Sequence, residues 1–323
     1  MKFRTEIDVK PFGKRFGYHS RIFAVGSCFA GNMAARMAAA KFSVMANPLG
    51  IMFNPVSVAD TIERCAAGRH VDAAELHEGA EGWFHYGFHG SFSRADSDMA
   101  AAEMNAAIDA GHEALAEADT VIVTFGTAYV FRLADGGAAV ANCHKQPAEM
   151  FRRERLSAGE IVDRWSRLIE NELHGKHIIL TVSPVRHLAD GLDGNMLSKS
   201  ILRVAAAGLA ERYADADYFP SYEILCDELR DYRFYADDMV HPSAAAVEYI
   251  WEKFVRTAIT PEAQSMLGEV EAVVAASHHR PLHPDTEAHR AFCRRQLEAV
   301  GRLKDVDLSA EREVFAAALK RND

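Results

Sequence analysis

The chain of 323 residues is 49% hydrophobic and 25% charged, which supplies a sizeable core and excludes disorder and collagen-like repetition. Its 46 acidic against 36 basic side chains give a formal charge of −10, a poor match for nucleic acid. The cysteines, Cys28, Cys65, Cys143, Cys226 and Cys293, are scattered and never form C-x-x-C, which argues against a disulfide framework or a zinc site and for a reducing compartment.

Short apolar runs alternate with longer helical patterns, the signature of parallel β-structure with crossover helices. Residues 21–25 read as the first strand, stopped at Gly26-Ser27-Cys28 and followed by a small-residue helix over 30–40. A second strand is expected over 42–46, closed by Asn47-Pro48-Leu49-Gly50, and Pro55 then suits the first turn of a helix with Val58, Ile62 and Cys65 on one side. The stretch 69–98, rich in Gly, His and aromatics, reads as loop or hairpin and as a pocket wall, whose Trp83, Phe84, Tyr86 and Phe88 could stack on a sugar or simply belong to the core. A helix to about 118 leads into Thr120–Phe125, whose β-branched density and Gly126 terminator make the clearest strand, and Asp135-Gly136-Gly137 signals a turn. Ser157 and Glu160 form a capping box for a helix that buries Ile161, Trp165, Leu168 and Ile169. A strand at His177–Val182, a helix over 196–213, an extended Tyr218-Phe219 and a helix opened by Ser243 follow, and from 261 to 323 only helical patterns remain. The basic stretch 1–20 lacks a continuous apolar segment, and no run approaches the roughly 18 apolar residues of a membrane span, so a cytoplasmic protein is expected.

Ligands of open parallel sheets bind beyond the carboxyl ends of the strands. Those positions hold Ser27 and Cys28, then Gly126-Thr127-Ala128, then Ser183-Pro184-Val185-Arg186-His187, while Asp237-Asp238-Met239-Val240-His241-Pro242 precedes the last core helix. Ser27, Asp238 and His241 are the set a serine hydrolase requires: a hydroxyl, a base and an orienting carboxylate. On a tight turn, the three-residue spacing that Asp238 has and Asp237 lacks lets a carboxylate reach the distal ring nitrogen while the other nitrogen faces the serine. Backbone N–H groups of Ser27 or Cys28 at a helix start can serve an oxyanion. The competing structural role for Ser27 is that of N-cap. Cys28 is the rival nucleophile, ranked lower because an adjacent side chain in a strand-to-helix turn points elsewhere and a buried cysteine is usually a small hydrophobe.

Arg186 and His187 are candidates for substrate contact or for packing behind the site, and His144 for a pocket wall rather than catalysis. Lys199, Arg230 and Arg233 read as ion-pair partners. His85 and His89 are four apart, but Gly82, Gly87 and Gly90 break the helix that would aim both at a metal, and Pro281 does the same among His278, His279 and His283. No metal is expected, and no G-x-G-x-x-G or P-loop follows a strand to suggest a nucleotide cofactor.

Gly26-Ser27-Cys28-Phe29-Ala30, with Asn47-Pro48-Leu49-Gly50, Phe53-Asn54-Pro55, Phe125-Gly126-Thr127, Asn142-Cys143-His144-Lys145, Ser183 to His187, Ser198-Lys199, Tyr218-Phe219-Pro220-Ser221-Tyr222-Glu223 and Leu229 to Tyr235 running into Asp238 to Ser243, resembles the GSCFA-domain proteins of the SGNH (GDSL-like) hydrolase superfamily over roughly 21–255. The resemblance implies a three-layer α/β/α sandwich of SGNH-hydrolase or flavodoxin-like type around a five-stranded parallel sheet in 1–258, with a C-terminal helical extension over 259–323. It implies Ser27 as nucleophile, completed by Asp238 and His241. Two blocks depart from the superfamily pattern. Its G-D-S is here Gly26-Ser27-Cys28, and its G-x-N-D is Gly126-Thr127-Ala128-Tyr129, which leaves the oxyanion to Thr127, Asn142 or Asn54, or to backbone donors with Gly50. The expected activity is ester hydrolysis through an acyl-enzyme on Ser27, on an O-acetylated carbohydrate or similar small ester, without cofactor. An O-acyltransferase using the same triad and a non-catalytic carbohydrate-binding or assembly protein are the alternatives, with the helical tail as the surface for a partner or a second copy.

Overall fold

The computed structural model describes residues 4–320. Strand β1 (Arg21–Gly26) leads into helix α1 (Cys28–Ala39), β2 (Ser43–Ala46) and α2 (Pro55–Ala67). A hairpin of β3 (His77–Gly79) and β4 (Gly82–Phe84) precedes α3 (Ser97–Glu117) and β5 (Thr120–Phe125). Strands β6 (Tyr129–Leu133), β7 (Ala139–Val140) and β8 (Phe151–Arg155) come next, then α4 (Ala158–Asn171), β9 (His177–Val182), α5 (Gly191–Arg212) and β10 (Ala216–Phe219). The short α6 (Ser221–Glu223) runs into a π-helical turn at Ile224–Leu229, and α7 (Ala244–Ala258), α8 (Pro261–Ser277), α9 (Glu287–Arg302) and α10 (Ser309–Lys320) complete the chain.

The central five-stranded sheet has the order β10-β9-β5-β1-β2 with every pair parallel. Its strand order thus reverses between β1 and β5, where such sheets open a crevice at their carboxyl edge. β5 and β9 are buried along their whole length, as both faces of the sheet are covered. On one face Val123, Phe125 and Leu180 meet α2 to α5 through Ile62, Ile108, Trp165 and Leu202. On the other, Ile22, Ile122 and Ile179 meet α1 and α7 through Phe29, Met37, Trp251 and Phe254. This is the three-layer sandwich that the resemblance implies. Trp165 sits edge-on to Phe125 at 4.9 Å and donates its indole N–H to the Pro55 carbonyl at 3.1 Å; burying such a side chain contributes about 3 kcal/mol.

Helices α8 to α10 bury a cluster of their own around Val270, Val273, Val300, Leu303 and Phe315. Lys41, just beyond α1, reaches the almost fully buried Glu311 carboxylate of α10 at 2.6 Å and ties the extension to the sandwich. Among the described residues no helix is long and apolar enough to cross a membrane; 321–323 of the extension lie outside them.

One element departs from the sequence reading. Between β5 and α4, where only a turn at 135–137 is expected, β6, β7 and β8 form an antiparallel sheet in the order β7-β6-β8. Its third strand, Phe-Arg-Arg-Glu-Arg, is almost wholly exposed, so no apolar face announces it. The sheet forms one wall of the site.

Candidate active site

The carboxyl end of β1 is fixed by Gly26, whose φ of +138° belongs to glycine and whose Cβ, were there one, would come within 2.1 Å of the Thr124 carbonyl oxygen. The chain turns there into α1. Ser27 is 1% exposed, and its hydroxyl accepts the Phe29 N–H at 3.3 Å as the N-cap of α1. Its own N–H donates to the Thr124 carbonyl at 3.2 Å. Cys28, the first residue of the helix, is half-buried and lines a cavity of about 810 Å³ that His241 also lines and Ser27 does not. The expectation that Ser27 faces the crevice and Cys28 turns away is therefore reversed in the structure: the hydroxyl is used in capping, and the thiol takes the open side. Burial raises the Cys28 pKa, while the N–H groups of Phe29 and Cys28 and the buried Lys199 ammonium pull the other way. At the first helical position the Cys28 N–H has no carbonyl within the helix to donate to.

Asp238 and His241 share the turn before α7, in which Met239 adopts φ +57°. Asp238 Oδ1 accepts the Val240 N–H at 2.9 Å and the His241 N–H at 3.0 Å, and Oδ2 faces His241 Nδ1 at 2.7 Å. The carboxylate thus engages the ring nitrogen nearer the backbone, not the distal one. These donors, the His241 N–H foremost, hold the Asp238 carboxyl down to about 2. An ionised Asp238 draws the ring proton to Nδ1 and leaves Nε2 as the imidazole's free acceptor. The carbonyls of Met239 and Val240 are held by Arg186, through its guanidinium at 3.2 Å and its N–H at 3.1 Å respectively. The guanidinium lies 3.8 Å from the Tyr235 ring centroid.

Besides Cys28 and His241, the cavity gathers Asn54, Thr127, Asn142, Arg186 and His187 from the sequence candidates. Asn54 caps α2, accepting the Ser57 N–H at 2.9 Å and donating one amide hydrogen to Ser57 Oγ at 3.0 Å, so its second amide hydrogen is left over. Thr127 Oγ1 accepts the Tyr129 N–H at 3.2 Å and lies 3.2 Å from Ser198 Oγ. Asn142 Oδ1 accepts the His144 N–H at 2.8 Å, which leaves its NH₂ as the group available to a ligand. His187 Nε2 is buried without a hydrogen-bond partner among the described residues; burial, then Lys199 and His241, lower its pKa to about 4, so the ring is neutral at ordinary pH.

Besides Ser27 and Asp238, three candidates fall outside the cavity wall, Gly50, Gly126 and His144. Gly50 donates its N–H to the Asn47 carbonyl at 2.8 Å, and its φ of +91° serves a turn so tight that a Cβ would meet His89 Cβ at 2.2 Å. Gly126 and Thr127 both donate their N–H to the Phe53 carbonyl, at 2.7 and 2.9 Å. None of these backbone donors is open to an oxyanion. His144 stacks on Phe84 at 4.3 Å and places Nε2 3.1 Å from the carbonyls of both His85 and Phe88, so it braces the loop behind the cavity. Phe84, Tyr86 and Phe88 are buried core residues; with Trp83 they lie off the cavity. Lys199 is no ion-pair partner either: fully buried, it donates to the Gly126 carbonyl at 2.6 Å and the Ser183 carbonyl at 2.8 Å. Arg230 and Arg233 do face Asp227 and Asp231, at 3.5 and 4.0 Å.

The aromatic wall comes instead from residues that sequence reasoning passes over. Phe53, Tyr129, Phe131 and Arg153 line the cavity, with the Arg153 guanidinium 3.8 Å from the Tyr129 ring centroid and paired with Asp190. Tyr129 and Phe131 alternate along β6 and so share a face; that period of two is the signal that could have found them. Among the described residues no group of three or more His, Cys, Asp or Glu side chains is placed to hold a metal.

Among solved structures, the chain is similar to a Streptococcus pneumonia protein named as a candidate platelet activating factor, at 10% identity and a TM-score of 0.36, over 73% of this chain and 84% of that one. No curated protein matches it. The profile of the C-terminal domain of GSCFA domain proteins matches residues 270–321, which takes in the C-terminal part of α8 and all of α9 and α10. The GSCFA family profile matches residues 21–254, from the first strand through the Asp238–His241 turn to α7, and the chain accordingly belongs to the GSCFA family.

Proposed function

We propose that the chain is an SGNH-type ester hydrolase that removes an O-acyl group, acetyl foremost, from a carbohydrate or similar small ester through a thioester on Cys28. One observation carries this reading: Cys28 and His241 line the same cavity, while Ser27 is buried as a helix cap. Set letter for letter against the superfamily's G-D-S, Gly26-Ser27-Cys28 also puts the serine's position at 28.

In the proposed cycle His241 Nε2 takes the thiol proton and Sγ attacks the ester carbonyl carbon. The carbonyl oxygen, now an anion, is received by the Cys28 N–H together with an amide hydrogen of Asn54 or the Thr127 hydroxyl. The C–O bond breaks and the leaving alkoxide takes the proton from His241. Water then gives a proton to His241 and adds to the thioester; the C–S bond breaks, the acid leaves and Sγ recovers the proton. Asp238 stays ionised throughout and steadies the imidazolium. Tyr129 and Phe131, the latter 39% exposed, offer ring faces to the apolar side of a sugar. All five cysteines are free, which suits the reducing interior in which we place the protein.

Transfer to an acceptor hydroxyl instead of water is favoured by a second cavity, about 310 Å³, that shares Arg186 with the first and is walled by Tyr222, Tyr232 and Tyr235. The test of the shared chemistry is a nitrophenyl acetate burst followed by peptide mass spectrometry. An acetyl group on the Cys28 peptide, released by hydroxylamine, supports the proposal; folded protein with neither burst nor adduct leaves a binding module.

A further inference from the structure

We infer that a small molecule carrying an oxyanion group, a carboxylate or a phosphate, binds in a third cavity whose floor is the Arg64 guanidinium. This cavity, of about 450 Å³, lies between the last turns of α2, the segment His77 to Gly87 and the β6–β7 hairpin. Val140 lines both it and the catalytic cavity.

Arg64 is 8% exposed and lines this cavity, and a guanidinium so placed is usually matched by a carboxylate. Among the described residues no carboxylate oxygen lies within 4.0 Å of it. Its one hydrogen bond runs from Nη1 to the Arg69 carbonyl at 3.1 Å, so most of its five N–H donors lack an acceptor. The Phe88 ring, 5.8 Å away by its centroid, covers one side.

The acids at the cavity rim act on Arg64 through space, Glu75 more than Asp60, and none is bonded to it. Arg164 holds both Asp60, at 2.7 Å, and Glu63, and Glu75 accepts the Asp72 N–H at 3.1 Å in a capping box. The other groups facing the space add donors. Arg69, exposed and likewise without a carboxylate partner among the described residues, brings a second guanidinium whose repulsion an anion would relieve. His85 Nδ1 accepts the Gly87 N–H at 2.9 Å, which puts the proton of the neutral ring on Nε2; burial and Arg64 keep that ring neutral, with its pKa lowered to about 4. A guanidinium fork matches the paired oxygens of a carboxylate or phosphate, and the cavity volume suits a molecule of sugar-phosphate size. The acidic rim weighs against a polyanion.

Isothermal calorimetry and thermal unfolding with inorganic phosphate, acetate and chloride at matched ionic strength test this with the full chain. Phosphate or acetate should bind and raise the melting temperature where chloride does not, and whichever does so identifies the oxyanion. Arg64→Gln should lose the binding, and Arg69→Gln should weaken it by about tenfold while keeping the fold, since Arg69 is exposed. Arg186→Gln, in the catalytic cavity, should leave it unchanged. No binding by either oxyanion overturns the inference. So does equal stabilisation by chloride, binding that persists in Arg64→Gln, or binding lost in Arg186→Gln instead. Should Arg64→Gln not fold, undiminished binding by Arg69→Gln overturns it alone.

Discussion

Asp238 grips His241 at two points within one turn, Oδ1 on the backbone N–H at 3.0 Å and Oδ2 on ring Nδ1 at 2.7 Å. The His241 N–H, then its ring, then the Val240 N–H hold the carboxyl down to about 2. A folded pKa below the unfolded value of about 3.9 means that the ordering this carboxylate provides is complete above about pH 4 and is lost as pH falls through about 2. A loss of activity between neutrality and pH 4 would therefore not come from Asp238. Asp238→Asn should lower kcat on the order of a hundredfold or more by offering the wrong partner to Nδ1–H, with KM little changed. The measurement is a pH profile of kcat and KM for both proteins; wild-type kcat in the variant would remove the carboxylate from the mechanism.

On the proposed function, substitutions at Ser27 and Cys28, adjacent in the chain, should separate stability from chemistry. Ser27→Ala removes the N-cap acceptor and should cost about 1 kcal/mol in urea unfolding, yet leave the acyl adduct on Cys28. Cys28→Ala should unfold near the wild-type midpoint and carry no adduct. A fluorophosphonate or acetyl adduct that survives Cys28→Ala and disappears in Ser27→Ala would return the nucleophile to the hydroxyl.

The choice between residues 27 and 28 shows where the letters stop. The strands β5 and β9 are read residue for residue from the sequence, because an unbroken β-branched or aliphatic run between turn residues has few other uses in a chain of this size. The Asp238–His241 contact follows from its spacing, since one turn brings such a pair together whatever surrounds it. Which of two neighbours faces the crevice depends on the rotation at Gly26, and φ +138° cannot be seen in the letter G. The β8 wall is hidden for another reason: Arg153 serves the site by stacking on Tyr129 and pairing with Asp190, partners that meet only once the sheet has formed. Lys199 reads as an ion-pair partner and is instead buried under two carbonyls, which no local pattern encodes.

Gly26 carries a prediction of its own. Any Cβ there would press against the Thr124 carbonyl at 2.1 Å, with the Thr124 carbonyl carbon at 2.9 Å, and both belong to backbone paired in the sheet. Gly26→Ala should therefore destabilise the fold by more than about 3 kcal/mol, combining a forbidden φ with a clash that no rotamer relieves. Equilibrium urea unfolding measures this directly. A loss below about 1 kcal/mol would mean that the β1–α1 turn has another conformation available and that the placement of Cys28 is less constrained than its geometry implies.

Lys199 gives the pH dependence of the core. Burial lowers its pKa to about 7, against about 10.4 in the unfolded chain. The folded protein therefore binds fewer protons than the unfolded one between those values, and its stability rises with pH across that window. Below about pH 7 the full penalty of the charged, buried ammonium is present; above about 10.4 it is gone, a difference on the order of 3 to 5 kcal/mol. Lys199→Met keeps the side-chain length and removes the titration, at the cost of leaving the Gly126 and Ser183 carbonyls without their donor. The variant should be less stable at alkaline pH, and the wild type should gain on it steadily as pH rises from 7 to 10. Urea unfolding midpoints of both proteins at half-unit pH steps decide it. Parallel curves would mean that the amine stays charged in the fold, held by the carbonyl dipoles of Gly126 and Ser183 more strongly than burial opposes it; a fixed cation would then lie beneath the crevice at every working pH.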